Sequence, residues 1–325
     1  MASSLRGTDG VSVHACAKIN LTLRVTDLRA DGYHGLRTIF QSIAVHDTLV
    51  FLHTRGPFRI ECEDPTCPTD RTNLVWHAAA MVWRAAGRRG DPRDVTVRIA
   101  KRIPLQAGLG GGSSDAAAAV RGLGCLWRAA LPVDVERAVA ARIGADVPFF
   151  FEGGTALGLD RGDLLFPLVE PPRQWVTLVI PPFGVSTKEA YGWFDADDVS
   201  PQGTQSSPRI LKGSSRGLRG LGGERASKGG HYGNLPPGEY RNDLEGPVAA
   251  RHPDIARIVR ALRRRGAEYA AMSGSGSAVF GIFASRALAA RAARALATAG
   301  RRAVVTRMVG RAEYAALVAP KCAPK

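Results

Sequence analysis

The stretch Pro104-Leu105-Gln106-Ala107-Gly108-Leu109-Gly110-Gly111-Gly112-Ser113-Ser114-Asp115-Ala116-Ala117 constrains this chain more than any other. Glycine reaches backbone conformations closed to other residues and lets main-chain amides approach a bulky anion. The amides that open a helix are unpaired and carry partial positive charge. A glycine-rich bend followed by a helix start is therefore a site for phosphate groups. Before the bend, Val95 to Ala100 alternates as a strand does; after it, Asp115 to Val120 suits a helix. A flexible linker rarely sits so tightly between two such elements. The expected chemistry is transfer of a phosphoryl group from a nucleotide, with Pro104 to Ser114 as the candidate nucleotide-binding residues.

Two familiar phosphate loops do not fit. A Walker-type loop needs Lys-Ser or Lys-Thr after its last glycine, and Gly112 is followed by Ser113-Ser114. The dinucleotide fingerprint needs a third glycine where Ser113 stands.

Three further segments invite a chemical reading. Lys18 lies between apolar residues at a strand-like position in Cys16-Ala17-Lys18-Ile19-Asn20-Leu21. A buried ammonium needs a partner, although a lysine that snorkels to the surface fits the same pattern. Asp146 is an acid among apolar residues in Gly144-Ala145-Asp146-Val147-Pro148; a helix-terminating turn is its plainer reading. Lys18 and Asp146 could be each other's partner, and a carboxylate beside an ammonium favours the form that accepts a proton from a hydroxyl. Met272-Ser273-Gly274-Ser275-Gly276-Ser277 sits between two apolar runs, as either a close-approach loop or a plain hairpin turn.

These segments, in order, resemble the GHMP kinases, the relatives of galactokinase, homoserine kinase and mevalonate kinase. The pattern Pro-x-x-x-Gly-Leu-Gly-x-x-Ser-Ser-x-Ala-Ala is similar to the second motif of that family. Ala17-Lys18-Ile19-Asn20-Leu21, Arg29-Ala30-Asp31-Gly32-Tyr33-His34, Gly144 to Pro148 and Arg241-Asn242-Asp243-Leu244-Glu245 are similar to the branch that acts on 4-diphosphocytidyl-2-C-methyl-D-erythritol. Cys16 stands where that branch has proline, and Asp115 occupies a variable position. The resemblance runs from about Val13 to about Val309.

The resemblance implies an α+β, two-domain GHMP-kinase fold with its site in the inter-domain cleft. It implies that ATP, with Mg²⁺, phosphorylates the 2-hydroxyl of that cytidyl alcohol in the non-mevalonate route to isoprenoid precursors. Asp146 then takes the proton and Lys18 stabilises developing charge. Asn20, Tyr33, His34, Phe40 and Thr187 are the candidate substrate residues, the rings of Tyr33 and His34 suiting a cytosine. Asn73 resembles an adenine-side residue, with helix capping as an equal reading. Ser113 or Ser114 could orient a phosphate or the waters of Mg²⁺, and no side chain is singled out as a metal ligand. Another small-molecule GHMP kinase, for homoserine or mevalonate, is the nearest alternative; Asp31 to His34 argues against it.

Composition sets outer bounds. The 325 residues, 45% hydrophobic, allow one large or two medium domains. No apolar run is long enough to span a bilayer and residues 1–10 read as a short disordered leader, so a cytoplasmic protein is expected. The five cysteines show no zinc spacing and read as reduced thiols. A formal charge of +15 suggests nucleic acid, but no RNA-recognition aromatic motif appears, and the arginines of Arg257, Arg260, Arg263 and Arg264 read as a solvated helix face. We expect a small-molecule substrate, no nucleic acid and no membrane; the oligomeric state is not legible.

The first domain is expected over residues 11–165: strands Val11 to Val25 and Thr38 to Leu52, helix Asn73 to Ala86 stopped by Gly87, the phosphate junction, a helix Val135 to Ile143 capped by Asp134, and a strand Gly153 to Leu159. The second, 166–319, should hold a strand Val176 to Ile180, a helix opened by the capping-box spacing of Ser186 and Glu189 and running through Trp193, a helix Pro253 to Arg265, two strands around the Ser-Gly loop, a helix Arg286 to Ala299 and a strand Ala303 to Val309. Residues about 198–239, rich in Gly, Ser and Arg, read as a disordered basic insertion.

Overall fold

The computed structural model describes residues 10–29, 32–129, 131–198 and 241–322. Two long antiparallel strands organise the first half: β1 (Gly10–Leu28) and β2 (His34–Pro57). Both run further than the hydrophobic alternation suggested, because each continues past the core as a two-stranded ribbon. On its other edge β2 pairs with β4 (Arg93–Ala100) through residues 48–57 and with β5 (Thr155–Asp160) through residues 36–41. Short strands β3 (Arg59–Cys62), β6 (Leu164–Pro167) and β11 (Lys321–Cys322) complete this sheet. None of these three was expected; each is too short to show a period.

Helices α1 (Leu74–Ala85), α2 (Gly111–Leu126), α3 (Val133–Ile143) and the single turn α4 (Phe149–Glu152) belong to this half. Residues of α1 and α2 such as Val75, Val82, Ala117 and Val120 share a core with Val13, Phe51 and Val97 of the sheet. α3 begins two residues before the expected start, with Pro132 at the capping position, so Asp134 lies inside the helix rather than at its cap. Proline suits that end because its missing N–H would have no helical partner there.

The second half is a four-stranded sheet in the order β10-β7-β9-β8, formed by β7 (Trp175–Ile180), β8 (Tyr269–Met272), β9 (Val279–Phe283) and β10 (Arg302–Arg307). α5 (Thr187–Asp198), α6 (Glu245–Arg251), α7 (Asp254–Arg264) and α8 (Arg286–Leu296) belong with it, and α9 (Arg311–Val318) returns to β1. Side chains of α6, α7 and α8 pack with Val179, Val279 and Phe283. The Ser186–Glu189 capping box is formed: Glu189 N–H donates to Ser186 Oγ, and Ser186 N–H to the Glu189 carboxylate. The helix it opens reaches Asp198, five residues past the expected Trp193. Residues 1–9 and 199–240, which hold the expected leader and nearly all of the basic insertion, lie outside the described residues.

The two sheets meet face to face. Ala17, Ile19, Leu21, Ile39 and Ile43 of β1 and β2 share a core with Val176, Leu178, Phe280 and Ile282 of the second sheet. This contact coincides with an irregularity in the pairing of β1 with β2. Val13 and Ala15 pack with the helices, yet the odd-numbered residues after them pack against the other sheet. The change falls at an irregularity of the pairing, where the three residues 43–45 of β2 face the single residue Ala17 of β1. The even-numbered Lys18 and Asn20 are thereby carried off the sheet–sheet core.

Candidate active site

The glycine bend becomes helix earlier than expected. Gly110 occupies the capping position with φ +70°, and α2 starts at Gly111. Gly111, Gly112, Ser113 and Ser114 thus form the first turn, where helical amides lack intrahelical partners. Gly112 has no backbone near the place a Cβ would take, only Leu74 Cδ1 at 3.9 Å, so this face of the turn is open. Gly108 is required for another reason. It has φ +71°, and a Cβ there would lie 1.9 Å from the carbonyl oxygen of Ser273.

Both halves of the molecule hold the bend. Lys18 N–H donates to Leu109 O at 3.0 Å from the first; Val185 N–H and Ala278 N–H donate to Gln106 O and Ala107 O, each at 3.2 Å, from the second. The two serines separate in role. Ser114 is buried and its hydroxyl donates to Cys16 O at 2.7 Å, tying α2 to β1. Ser113 is half-buried and makes no side-chain hydrogen bond among the described residues, which leaves its hydroxyl for a ligand.

Lys18 and Asp146 come together. Lys18 Nζ lies 3.3 Å from Asp146 Oδ2, with the lysine side chain 5% exposed and the aspartate 34%. Asp146 sits in the turn between α3 and α4. The ammonium also donates to Asn20 Oδ1 at 2.6 Å, and Asn20 Nδ2 donates to Thr38 Oγ1 at 2.7 Å. Phe40 is fully buried, against Phe149 and 5.3 Å beneath Lys18 Nζ, so it forms a floor for the ammonium rather than an open wall for a base. A Cβ on Gly110 would approach Lys18 Cε to 3.2 Å. The ammonium side chain therefore runs beside the glycine turn.

The remaining candidates make their contacts with other residues. His34 stacks on Tyr191 with ring centroids 5.7 Å apart, and its Nε2 lies 2.8 Å from Asp195 Oδ1, both partners on α5. Tyr33 is 64% exposed. Thr187 Oγ1 reaches Ser275 Oγ of the Ser-Gly loop at 3.4 Å. Asn73 caps α1: its Oδ1 accepts from Val75 N–H at 2.9 Å and its Nδ2 donates to Pro68 O at 2.6 Å. Of its two readings, capping is the one this geometry displays.

Several site residues escaped the sequence reading. Tyr191 is one: burial, and then the nearby Asp146 carboxylate, push its phenol above the usual range. Its helical spacing from Thr187 was the available signal. Ser273 is another. The largest omission is an ion cluster behind the glycine turn. Lys101 Nζ contacts Asp47 Oδ2 at 2.5 Å and Asp115 Oδ2 at 2.8 Å, all three side chains at most 4% exposed. Asp47 Oδ1 also accepts from Arg102 and Ile103 N–H. Burial opposes the charge on Lys101, but the two carboxylates together hold its pKa above the ordinary lysine value. Asp115 is pushed up to about 8, by burial first and with Asp47 adding to it against Lys101. Its Oδ1 is buried without a hydrogen-bond partner. A cavity of about 500 Å³, lined by His46, Lys101, Arg102, Pro104, Trp175 and Arg302 among others, has neither Lys18 nor Asp146 in its lining.

A buried lysine is thus paired with a one-third-exposed aspartate beside a glycine-rich helix start. Residues 73–154 match the family model for the GHMP kinases N terminal domain, and residues 233–302 the model for GHMP kinases C terminal. A 4-diphosphocytidyl-2-C-methyl-D-erythritol kinase of Moorella thermoacetica is 41% identical over 300 residues, covering 92% of this chain and 99% of that protein. The chain belongs to the 4-diphosphocytidyl-2-C-methyl-D-erythritol kinase family of GHMP kinases. A second member, from Solibacter usitatus, is 42% identical over 281 residues, covering 84% of this chain and 81% of that protein. The crystal structure of a 4-(cytidine 5'-diphospho)-2C-methyl-D-erythritol kinase superposes with a TM-score of 0.70 at 34% identity, covering 92% of this chain and 99% of the other. Homoserine kinase from Cytophaga hutchinsonii, at 17% identity and a TM-score of 0.62, shares the fold. The two-domain α+β GHMP-kinase fold expected from the motifs is the one found. Among the described residues no helix is long and apolar enough to cross a membrane.

Proposed function

We propose that this chain transfers the terminal phosphoryl group of ATP to the 2-hydroxyl of 4-diphosphocytidyl-2-C-methyl-D-erythritol, giving ADP and the 2-phosphate. The observation that carries the reading is the convergence of Lys18 and Asp146 beside the glycine turn. Phosphoryl transfer asks chiefly for alignment and for charge stabilisation. The free amides of Gly111 to Ser113 receive the phosphates, and Asp146, the more exposed partner, accepts the proton of the attacking hydroxyl. Lys18 holds Asp146 in place and stabilises charge on the transferred group. Asn20, held by Lys18 and Thr38, orients the acceptor.

Mg²⁺ would come with the nucleotide substrate and would supply neutralisation of phosphate charge. Ser113, whose hydroxyl has no side-chain partner among the described residues, would take a phosphate oxygen or a water of that ion. His34, fixed by Asp195 and Tyr191, and the exposed Tyr33 recognise the cytosine. Thr187 reaches the acceptor from the second half. Asn73 contacts the adenine only if Nδ2 exchanges its Pro68 partner. We assign the catalytic first domain to residues 11–165 and the second to 166–319.

An ADP-release assay with the cytidyl alcohol, and with the same alcohol lacking cytosine, tests this reading. Turnover is expected with the first and at least about tenfold less kcat/KM with the second, the effect of losing one recognition element. Equal turnover of both, or of homoserine or mevalonate instead, would overturn it.

A further inference from the structure

The Arg241 to Glu245 motif has no part in the chemistry above, yet its side chains surround the loop joining β8 to β9. Asn242 is buried, and its Nδ2 donates to Met272 O at 2.9 Å and Gly274 O at 2.7 Å. Its Oδ1 accepts from Leu244 N–H at 3.0 Å, so every polar end of the amide is engaged. Glu245 Oε2 accepts from Met272 N–H at 2.7 Å. The motif is also bonded into β1: Leu23 N–H donates to Arg241 O, Asp243 N–H to Leu23 O, and Val25 N–H to Asp243 Oδ2.

What this clamp holds is Ser273, which is fully buried. The Ser273 hydroxyl donates to Gly108 O at 2.9 Å and accepts from Asn20 N–H at 3.3 Å. One hydroxyl therefore spans the phosphate-binding bend and the strand that carries Lys18 and Asn20. A Cβ on Gly274 would come within 3.1 Å of Gly108 O and 3.2 Å of Asn20 Oδ1, so the loop has no slack on this side.

We infer that Asn242 and Glu245 are positioning residues for phosphoryl transfer, fixing the 272–277 loop so that Ser273 sets the spacing between the phosphate bend and the acceptor strand. The inference rests on the kinase reading for its meaning. Its contacts exist in the free protein and can be tested without substrate. Misplacing reacting groups by about 1 Å costs up to about 100-fold in rate, so the expected signature is a loss in kcat with KM for ATP little changed.

The test compares the full-length wild type with Asn242→Asp, which sets a carboxylate against two carbonyl oxygens. Amide hydrogen exchange on the free protein should speed up in 272–277 and also in 106–110 and 18–22, with residues 176–180 of β7 unchanged. On the cytidyl alcohol, kcat should fall about 10- to 100-fold. Should Asn242→Asp not fold, Glu245→Leu makes the same comparison, and Glu245→Gln, which keeps an oxygen for Met272 N–H, should restore most of what Glu245→Leu loses. Faster exchange confined to 272–277, equal acceleration in β7, or wild-type kcat in a folded variant would overturn the inference. A wild type inactive on the cytidyl alcohol would sink the kinase reading instead, and the exchange pattern would still decide this one.

Discussion

Lys18 and Asp146 form an asymmetric pair: 3.3 Å apart, the ammonium is shut away from solvent while a third of the carboxylate side chain remains open. The asymmetry supports the roles proposed for the two. A group that exchanges a proton with substrate must be reachable, and a group that supplies fixed charge works best where water is excluded. Asp146→Asn keeps the shape and removes the proton acceptor. We expect kcat to fall by about 10²–10⁴, with ATP affinity, measured by calorimetry, near the wild-type value. Wild-type-like kcat would remove Asp146 from the base role.

Lys18→Ala tests the other partner. The ammonium has two oxygen partners, on Asp146 and Asn20, and Phe40 beneath it. On the proposed mechanism its removal takes charge from the transferred group and leaves the Asn20 side chain held by Thr38 alone. We expect kcat to fall about 10²–10³, far more than KM rises. A variant with raised KM and unchanged kcat would show that Lys18 binds substrate and transition state alike.

The motifs and the strand–turn–helix reading were legible because each is local. Lys18 and Asn20 lie two residues apart on one strand, and the capping box spans Ser186 to Glu189. What brings Lys18 to the glycine turn was not legible, since the register shift at Cys16 leaves no trace in hydrophobic alternation. Nor was the floor role of Phe40, because an aromatic residue in a strand reads the same whether it faces a ligand or a core. Asp47, Lys101 and Asp115 come from three separate segments, and only the folded chain shows that two carboxylates share one ammonium. Asn73 shows the converse: its capping role is local and could be read, while any contact to a base depends on geometry across the cleft.

His34 tests recognition rather than chemistry. Its ring is held between Asp195 and Tyr191, at a distance in sequence from the phosphate bend. His34→Ala should raise KM for the cytidyl alcohol about tenfold, one stacked or hydrogen-bonded element, and leave KM for ATP unchanged. An equal rise in both would place His34 in the general architecture of the cleft.

Asp115 gives a prediction about pH and stability. Its folded pKa of about 8 lies above the ordinary aspartate value of 3.8, because burial and the neighbouring Asp47 disfavour its charge. The folded chain therefore holds one more proton than the unfolded chain between those values. Stability from this group is fully present below about pH 4, declines as pH rises, and is gone above about pH 8. One proton corresponds to a slope of at most about 1.4 kcal/mol per pH unit. Asp115→Asn keeps an oxygen for Lys101, gives the unpartnered Oδ1 position no charge, and removes the repulsion with Asp47. Urea unfolding from pH 5 to 9 should then show the variant gaining on the wild type as pH rises, with the gap constant above about pH 8. A gap that does not change with pH would mean that Asp115 stays ionised in the folded protein and that Lys101 balances both carboxylates unaided.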